Sequence, residues 1–279
     1  MGGAINRIMK RSRNSSKLDI LEPRFHKVTD AVFKRIPRAV PGQDKIAACR
    51  LVAHRGIHLR KEAQENSLPA FQRALDLGIW GIEFDIRWTQ DLKPMVFHDS
   101  DLFRIFGKPK PLATFTRKDL QRSYPTIPTL EAVVERFGGR LHLMIEIKAE
   151  DYPKPAYQAS ALQEILRPLE PGRDYHFMSL HPSMFRFAAF APTHAMIPIP
   201  RLRLREYSHL ARKNRYGGIA GHYLLLTNRW LQTHRQAGQQ VGTGFPRSRN
   251  CLFREINRGV DWIFSDHAEA LQEILQQHS

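Results

Sequence analysis

From residue 51 to the end of the chain, short apolar runs alternate with amphipathic stretches. The runs fall at 51–54, 81–88, 141–148, 175–180, 196–200, 219–226, 240–245 and 262–265, with an extra return at 94–98. Between them lie 68–77, 130–137, 159–169, 184–190, 207–211, 230–235, 252–256 and 268–275. Repeated βα units of this kind predict a parallel sheet. Apolar runs at about eight positions, with no glycine-rich dinucleotide fingerprint after the first, favour a closed TIM-type (β/α)8 barrel over an open doubly wound sheet. Residues 99–128 break the rhythm; they hold Pro109, Pro111, Pro125 and Pro128 and read as an insertion near the active-site face. Ahead of the barrel, Phe25, Val28, Val32, Phe33 and Ile36 recur at helical spacing until Pro37. The expected division is a basic arm with a short amphipathic helix over 1–50 and a barrel over 51–279. The helix is expected to pack on the main domain, across the barrel bottom, with an anionic membrane surface as the alternative.

Composition narrows the class. The chain has 279 residues and 42% hydrophobic side chains, enough for one sizeable core. No stretch has the run of about 18 apolar residues that crosses a bilayer. The opening Met1-Gly-Gly-Ala-Ile-Asn-Arg7 lacks the apolar region of a secretory signal. Cys49 and Cys251 are the two cysteines, far apart and outside any thiolate metal motif, which suits free thiols in a reducing compartment. The expected location is the cytoplasm, with peripheral contact at the inner membrane face as an option. Formal charge is +16, and residues 1–50 carry twelve basic against four acidic side chains. Residues 1–18 are basic, without periodic apolar positions, and are expected to be mobile. A nucleic-acid-binding protein is the remote alternative that this charge raises, but no recognition module accompanies it and no nucleic acid partner is expected.

The chemistry sits at the ends of the apolar runs. Glu83 and Asp85 are two positions apart in one predicted strand and so share a face. Glu146 and Lys148 repeat the device in a second strand. Charges alternating with apolar residues also occur where one strand face meets solvent, but a barrel interior is not solvent. Three carboxylates suit one hard divalent cation, Mg²⁺ or Ca²⁺, with Lys148 partly offsetting their charge and reaching a phosphate oxygen. His54 and His98 close two apolar runs, where catalytic groups gather in parallel barrels, and an imidazole takes and returns a proton near neutral pH.

Together these residues resemble the glycerophosphodiester phosphodiesterases of the phospholipase-C-like barrel superfamily. The match runs through His54-Arg55-Gly56, Glu65-Asn66-Ser67, Glu83-x-Asp85, Thr89-x-Asp91, His98-Asp99, Ile127-Pro128-Thr129-Leu130, Glu146-Ile147-Lys148 and the closing Gly259 to Asp266. The resemblance implies that Glu83, Asp85 and Glu146 bind the metal and that His54 and His98 are the acid–base pair. It also implies that Arg55 and Lys148 hold the phosphate while Glu65 and Asn66 brace the first loop. The expected reaction is hydrolysis of a glycerophosphodiester to glycerol 3-phosphate and an alcohol. A lysophospholipase D-like or sphingomyelinase D-like reaction on a lysophospholipid is the alternative.

The chain also departs from the family pattern. Leu92 stands where many members have glycine, and Val241 to Pro246 replaces a Trp-Thr-Val-Asn segment that lines the alcohol pocket. Ser179-Leu180-His181 replaces the Ser-Phe usual after the fourth strand, and His181 is expected to be structural or exposed. Phe103, Phe106, Phe115, Met184, Phe185 and Phe187 are candidates for an apolar lip, with burial in the insertion and the fourth helix as the competing expectation.

Overall fold

The computed structural model describes residues 29–58 and 63–278. Its eleven strands are β1 (Leu51–His54), β2 (Gly81–Trp88), β3 (Pro94–Val96), β4 (Asp101–Leu102), β5 (Lys108–Pro111), β6 (His142–Ile147), β7 (Tyr175–Ser179), β8 (Met196–Pro198), β9 (Gly218–His222), β10 (Gln240–Gly244) and β11 (Trp262–Ser265). Eight of them run parallel in the order β8-β7-β6-β2-β1-β11-β10-β9. The ends of this path meet where the Gly217 N–H donates to the Met196 carbonyl at 3.1 Å, so the barrel is nearly closed. β3 returns antiparallel along β2.

Side-chain alternation sorts the core into two parts. One set of alternate residues, including Ile82, Phe84, Leu143, Ile145 and Phe177, packs outward against the helices. The other set fills the barrel: Val52, Met144, Met178, Ile197, Ala220, Trp262 and Phe264. Gly242 belongs to this inner set, and a Cβ there would meet the Phe264 ring at 2.6 Å and Trp262 at 3.2 Å. The glycine is therefore required by two large aromatics on the neighbouring strand. This gives a packing reason for Gly242 within the departure at Val241 to Pro246.

Local signals start the helices that hold the strands. Ser67 and Thr129 accept from the backbone N–H groups of Ala70 and Ala132, capping Leu68–Asp76 and Leu130–Phe137. The expected helix around 184–190 is instead a 3-10 segment, Pro182–Ala188. Pro182 opens the segment, and its tighter turn buries Phe185, Phe187 and Ala188. The insertion has its own small core of Leu102, Leu112, Leu120 and Ile127 beneath Met95 and Phe97. Phe106 and Phe115 pack against it and Met184 is partly buried, so of the candidate lip only Phe103 is exposed.

Residues 29–33 are helical, which covers part of the expected amphipathic helix; Phe25, Val28 and all of 1–18 lie outside the described residues. The segment does pack on the barrel, but along its side rather than across its bottom. Asp30 accepts from Arg247 N and Ser248 Oγ beyond the end of β10, and Phe33 meets Tyr223 beyond the end of β9. The chain then descends beside helix Arg249–Arg258, where Asn257 donates to the Ala39 carbonyl, and Ile46 enters the core. Bonds to an adjacent helix satisfy this backbone locally, which fixes the route.

The barrel bottom is closed by a buried histidine pair. His142 Nδ1–H donates to the Arg173 carbonyl at 3.0 Å, which leaves its Nε2 to accept from His176 Nδ1–H at 2.8 Å. Trp80 stacks on His142 at 4.3 Å. Burial lowers both imidazoles, His142 to about 4 and His176 to about 3. The folded chain therefore binds fewer protons than the unfolded chain below pH 6.5, the ordinary histidine value, and stability must fall as pH drops through that window. The loss is on the order of 3 kcal/mol from each imidazole between pH 6.5 and 4. In His176→Gln, urea midpoints compared at neutral and acidic pH should show a smaller acid loss than the parent; an equal loss would refute the assignment.

Candidate active site

At the C-terminal end of the barrel, inner-facing residues of β1, β2 and β6 change from apolar to charged. Register sets His54 beside Glu83 and Asp85 beside Glu146. One carboxylate oxygen from each of Glu83, Asp85 and Glu146 lies within 4.8 Å of the other two, and all three residues are buried. Lys148 Nζ is 2.6 Å from Asp85 Oδ1 and 2.7 Å from Glu146 Oε1.

Loop geometry delivers the remaining groups. Arg55 and Asn66 both take left-handed backbone conformations, with φ of 58° and 56°, uncommon for residues with a Cβ and typical of strained functional loops. Between them Gly56 has φ of 79°, and a Cβ there would strike Ala70 and Phe71 at 2.9 Å, which explains the glycine after His54-Arg55. The outcome is that Asn66 Nδ2 donates to Asp85 Oδ2 at 2.9 Å and Arg55 Nε lies 3.5 Å from the same oxygen. Arg55 Nη1 also donates to Glu65 at 3.0 Å. Glu65 in turn takes two bonds from Arg104, at 2.8 and 2.6 Å. Leu92, at the other departure from the family pattern, has φ of 56°, the conformation that a glycine adopts without strain.

Each histidine is anchored through Nδ1. His54 donates to Asp266 Oδ1 at 2.6 Å and His98 donates to Asp99 Oδ1 at 2.7 Å. These bonds leave Nε2 as the reactive nitrogen in both; that of His54 lies 3.7 Å from Glu83 Oε2. Arg87 holds the His98 carbonyl at 2.8 Å and is itself tied to Glu150 at 2.7 Å. Phe245 sets its ring 4.8 Å from that of His54 and walls the mouth.

Electrostatics separate the groups. Burial and the neighbouring Asp85 carboxylate push Glu83 up to about 8. Burial works against ionisation of Asp85 too, but Lys148, His98 and Arg55 outweigh it and hold Asp85 well below the usual carboxylate range. Burial lowers His98, helped by Lys148. It also opposes the charged form of His54, where Glu83 and Asp266 prevail and raise it.

The set fits a hard divalent cation. Three acidic oxygens crowd together, and buried Glu83 Oε2 accepts no hydrogen bond among the described residues. Glu83, Asp85 and Glu146 would hold such an ion.

All nine residues singled out by sequence thus lie on β1, β2 or β6, or in the loops that follow β1, β3 and β6. What the motifs left without a role were Asp266, Asp99 and Arg104; the first two were visible as part of the matching segments, whereas Arg104 carried no signal. His181 is exposed.

Comparison with known proteins agrees with this geometry. A profile described as the glycerophosphoryl diester phosphodiesterase family matches residues 54–241. The glycerophosphodiester phosphodiesterase of Caldanaerobacter subterraneus subsp. tengcongensis is 24% identical over 246 residues, covering 81% of this chain and 98% of the relative. Among solved structures, a Thermotoga maritima glycerophosphodiester phosphodiesterase aligns with a TM-score of 0.68 at 22% identity, over 81% of this chain and 98% of that one. An Oleispira antarctica phosphodiesterase in complex with the product sn-glycerol-3-phosphate aligns with a TM-score of 0.67 at 21% identity, over 81% and 96%. With two thirds of its length inside the family profile and an eight-stranded parallel barrel to match, the chain belongs to the glycerophosphoryl diester phosphodiesterase family, whose members are phosphoric diester hydrolases.

Proposed function

We propose that this protein hydrolyses glycerophosphodiesters to glycerol 3-phosphate and an alcohol, using His54 and His98 for proton transfer at a divalent-metal site. The observation that carries the reading is the pairing of two imidazoles, each fixed by a carboxylate at Nδ1, with a buried cluster of three carboxylates and two cations. The Oleispira antarctica neighbour supports glycerol 3-phosphate as the product.

Arg55 and Lys148 bind the phosphate oxygens, and their charge favours the more negative transition state. Asp85 and Glu65 orient Arg55, while Asp85 and Glu146 orient Lys148. One imidazole Nε2 removes the proton from the attacking O–H, either water or a glycerol hydroxyl whose cyclic phosphate water then opens, and the other supplies a proton to the departing alkoxide. Asp266 and Asp99 keep the Nδ1 protons in place, so that Nε2 carries the exchange. A cation held by Glu83, Asp85 and Glu146 would supply Lewis-acid stabilisation of phosphoryl charge. Phe245 packs edge-on against the His54 ring and limits its movement at the mouth.

The test is turnover of glycerophosphocholine, glycerophosphoethanolamine and glycerophosphoglycerol beside lysophosphatidylcholine, with glycerol 3-phosphate as the readout. Release of glycerol 3-phosphate from at least one deacylated diester is expected. Its absence from all three rejects the proposal, and choline release confined to the lysolipid replaces it with the lipid reading.

A further inference from the structure

Six large apolar side chains are exposed among the described residues: Val32, Ile36, Val40, Phe103, Tyr157 and Leu202. Single exposed apolar residues are ordinary on a soluble surface. Their placement here is not scattered. The first three belong to the segment before β1, and the three on the barrel, exposed by 62%, 48% and 73%, all sit at its catalytic end.

Topology fixes those positions. Phe103 stands at the tip that joins β4 to β5, next to Arg104, which bridges Asp99 and Glu65 at the mouth. Tyr157 lies in the first turn of helix Pro155–Leu166, just after the loop leaving β6. Leu202 is in the loop between β8 and helix Leu204–Lys213. With the sheet order β8-β7-β6-β2, these points occupy three sectors of one rim.

Each point is flanked by exposed basic residues: Lys108 and Lys110 near Phe103, Lys154 near Tyr157, and Arg205 near Leu202, where Arg203 is paired with Glu206. The remaining sectors, beyond β9 and β10, receive the N-terminal segment, because Asp30 is bonded to Arg247 and Ser248 there. Residues 1–28, which lead into that point, carry seven basic and two acidic side chains. Apolar tips ringed by lysine and arginine, with a basic segment joining at the same rim, have the chemistry of a surface that meets an anionic bilayer.

We infer that the catalytic rim docks on anionic membrane, with Phe103, Tyr157 and Leu202 entering the headgroup region and the surrounding basic side chains meeting lipid phosphates. The mouth then faces the lipid surface. The inference does not depend on the catalytic reading, because docking is read without turnover.

The experiment is co-sedimentation of the full chain with vesicles of phosphatidylcholine alone and of phosphatidylcholine mixed with phosphatidylglycerol. The parent is expected to bind the mixed vesicles, less tightly as salt rises. The variant F103S/Y157S/L202S should lose about tenfold or more in partitioning, and K108E/K110E/R205E should lose preference for the anionic vesicles. A parental far-UV circular dichroism spectrum and thermal midpoint establish that both variants are folded. Failure of the parent to bind anionic vesicles overturns the inference. Unchanged partitioning of F103S/Y157S/L202S overturns it too, since the basic segment alone would then account for binding.

Discussion

His98→Ala is expected to lower kcat by about 10²–10⁴-fold while changing KM little, the usual cost of removing one positioned proton carrier. His98 is bonded through Nδ1 to Asp99 and through its carbonyl to Arg87, so it contributes a reactive Nε2 rather than a substrate anchor. His54→Ala should cost a similar factor, for His54 is held by Asp266 in the same manner. Because the two act in one proton circuit, the double variant should lose much less than the product of the single losses. The anchoring carboxylates give a graded test. Asp99→Ala and Asp266→Ala leave the imidazoles present but free to rotate or change tautomer, so each should fall between the parent and the corresponding histidine variant. In each, loss should appear in kcat and in the pH profile while the thermal midpoint stays near the parental value. Parental kcat in His98→Ala would remove proton transfer from that residue altogether.

Removal of the divalent cation is expected to abolish turnover, and the effect should be visible in stability as well as in rate. Glu83, Asp85 and Glu146 bring three acidic groups within 4.8 Å, and the cations near them, Lys148 and Arg55, lean toward Asp85 and Glu146. Glu83 is left with the least compensation. A bound cation relieves that repulsion, so Mg²⁺ or Ca²⁺ at about 100 times its Kd should stabilise the folded state by about 2.7 kcal/mol. Glu83→Gln separates ligand from bystander. It keeps the side-chain shape and removes a carboxyl that burial and Asp85 make costly to ionise in the fold, so the metal-free protein should become more stable. The same change deletes a ligand, and both the metal-dependent rise in Tm and the turnover should disappear. Full activity in chelator, or a metal-induced rise that persists in Glu83→Gln, would refute the three-carboxylate site.

Much of this was legible along the chain because the determining signals are local. Alternation with period two marks the buried strands and assigns Glu83 with Asp85, and Glu146 with Lys148, to one face each, since neighbouring strand residues must point opposite ways. Ser67 and Thr129 announce helix starts through short-range caps. Other features depended on segments that only folding brings together. His54 and Asp266 are 212 positions apart, and their bond exists because β11 pairs with β1. Arg104 links Asp99 to Glu65 from an insertion whose fold no periodicity reveals.

By itself, then, the sequence determined the barrel class, the strand-end chemistry and the family, because each rests on repeating patterns and short motifs read within one element. Tertiary structure alone decided how the histidines are held, why Gly242 must be small, and where the N-terminal segment runs. The physical reason is common to all three: each depends on contacts between residues far apart in sequence, and those distances are set by closure of the sheet, which no local pattern encodes.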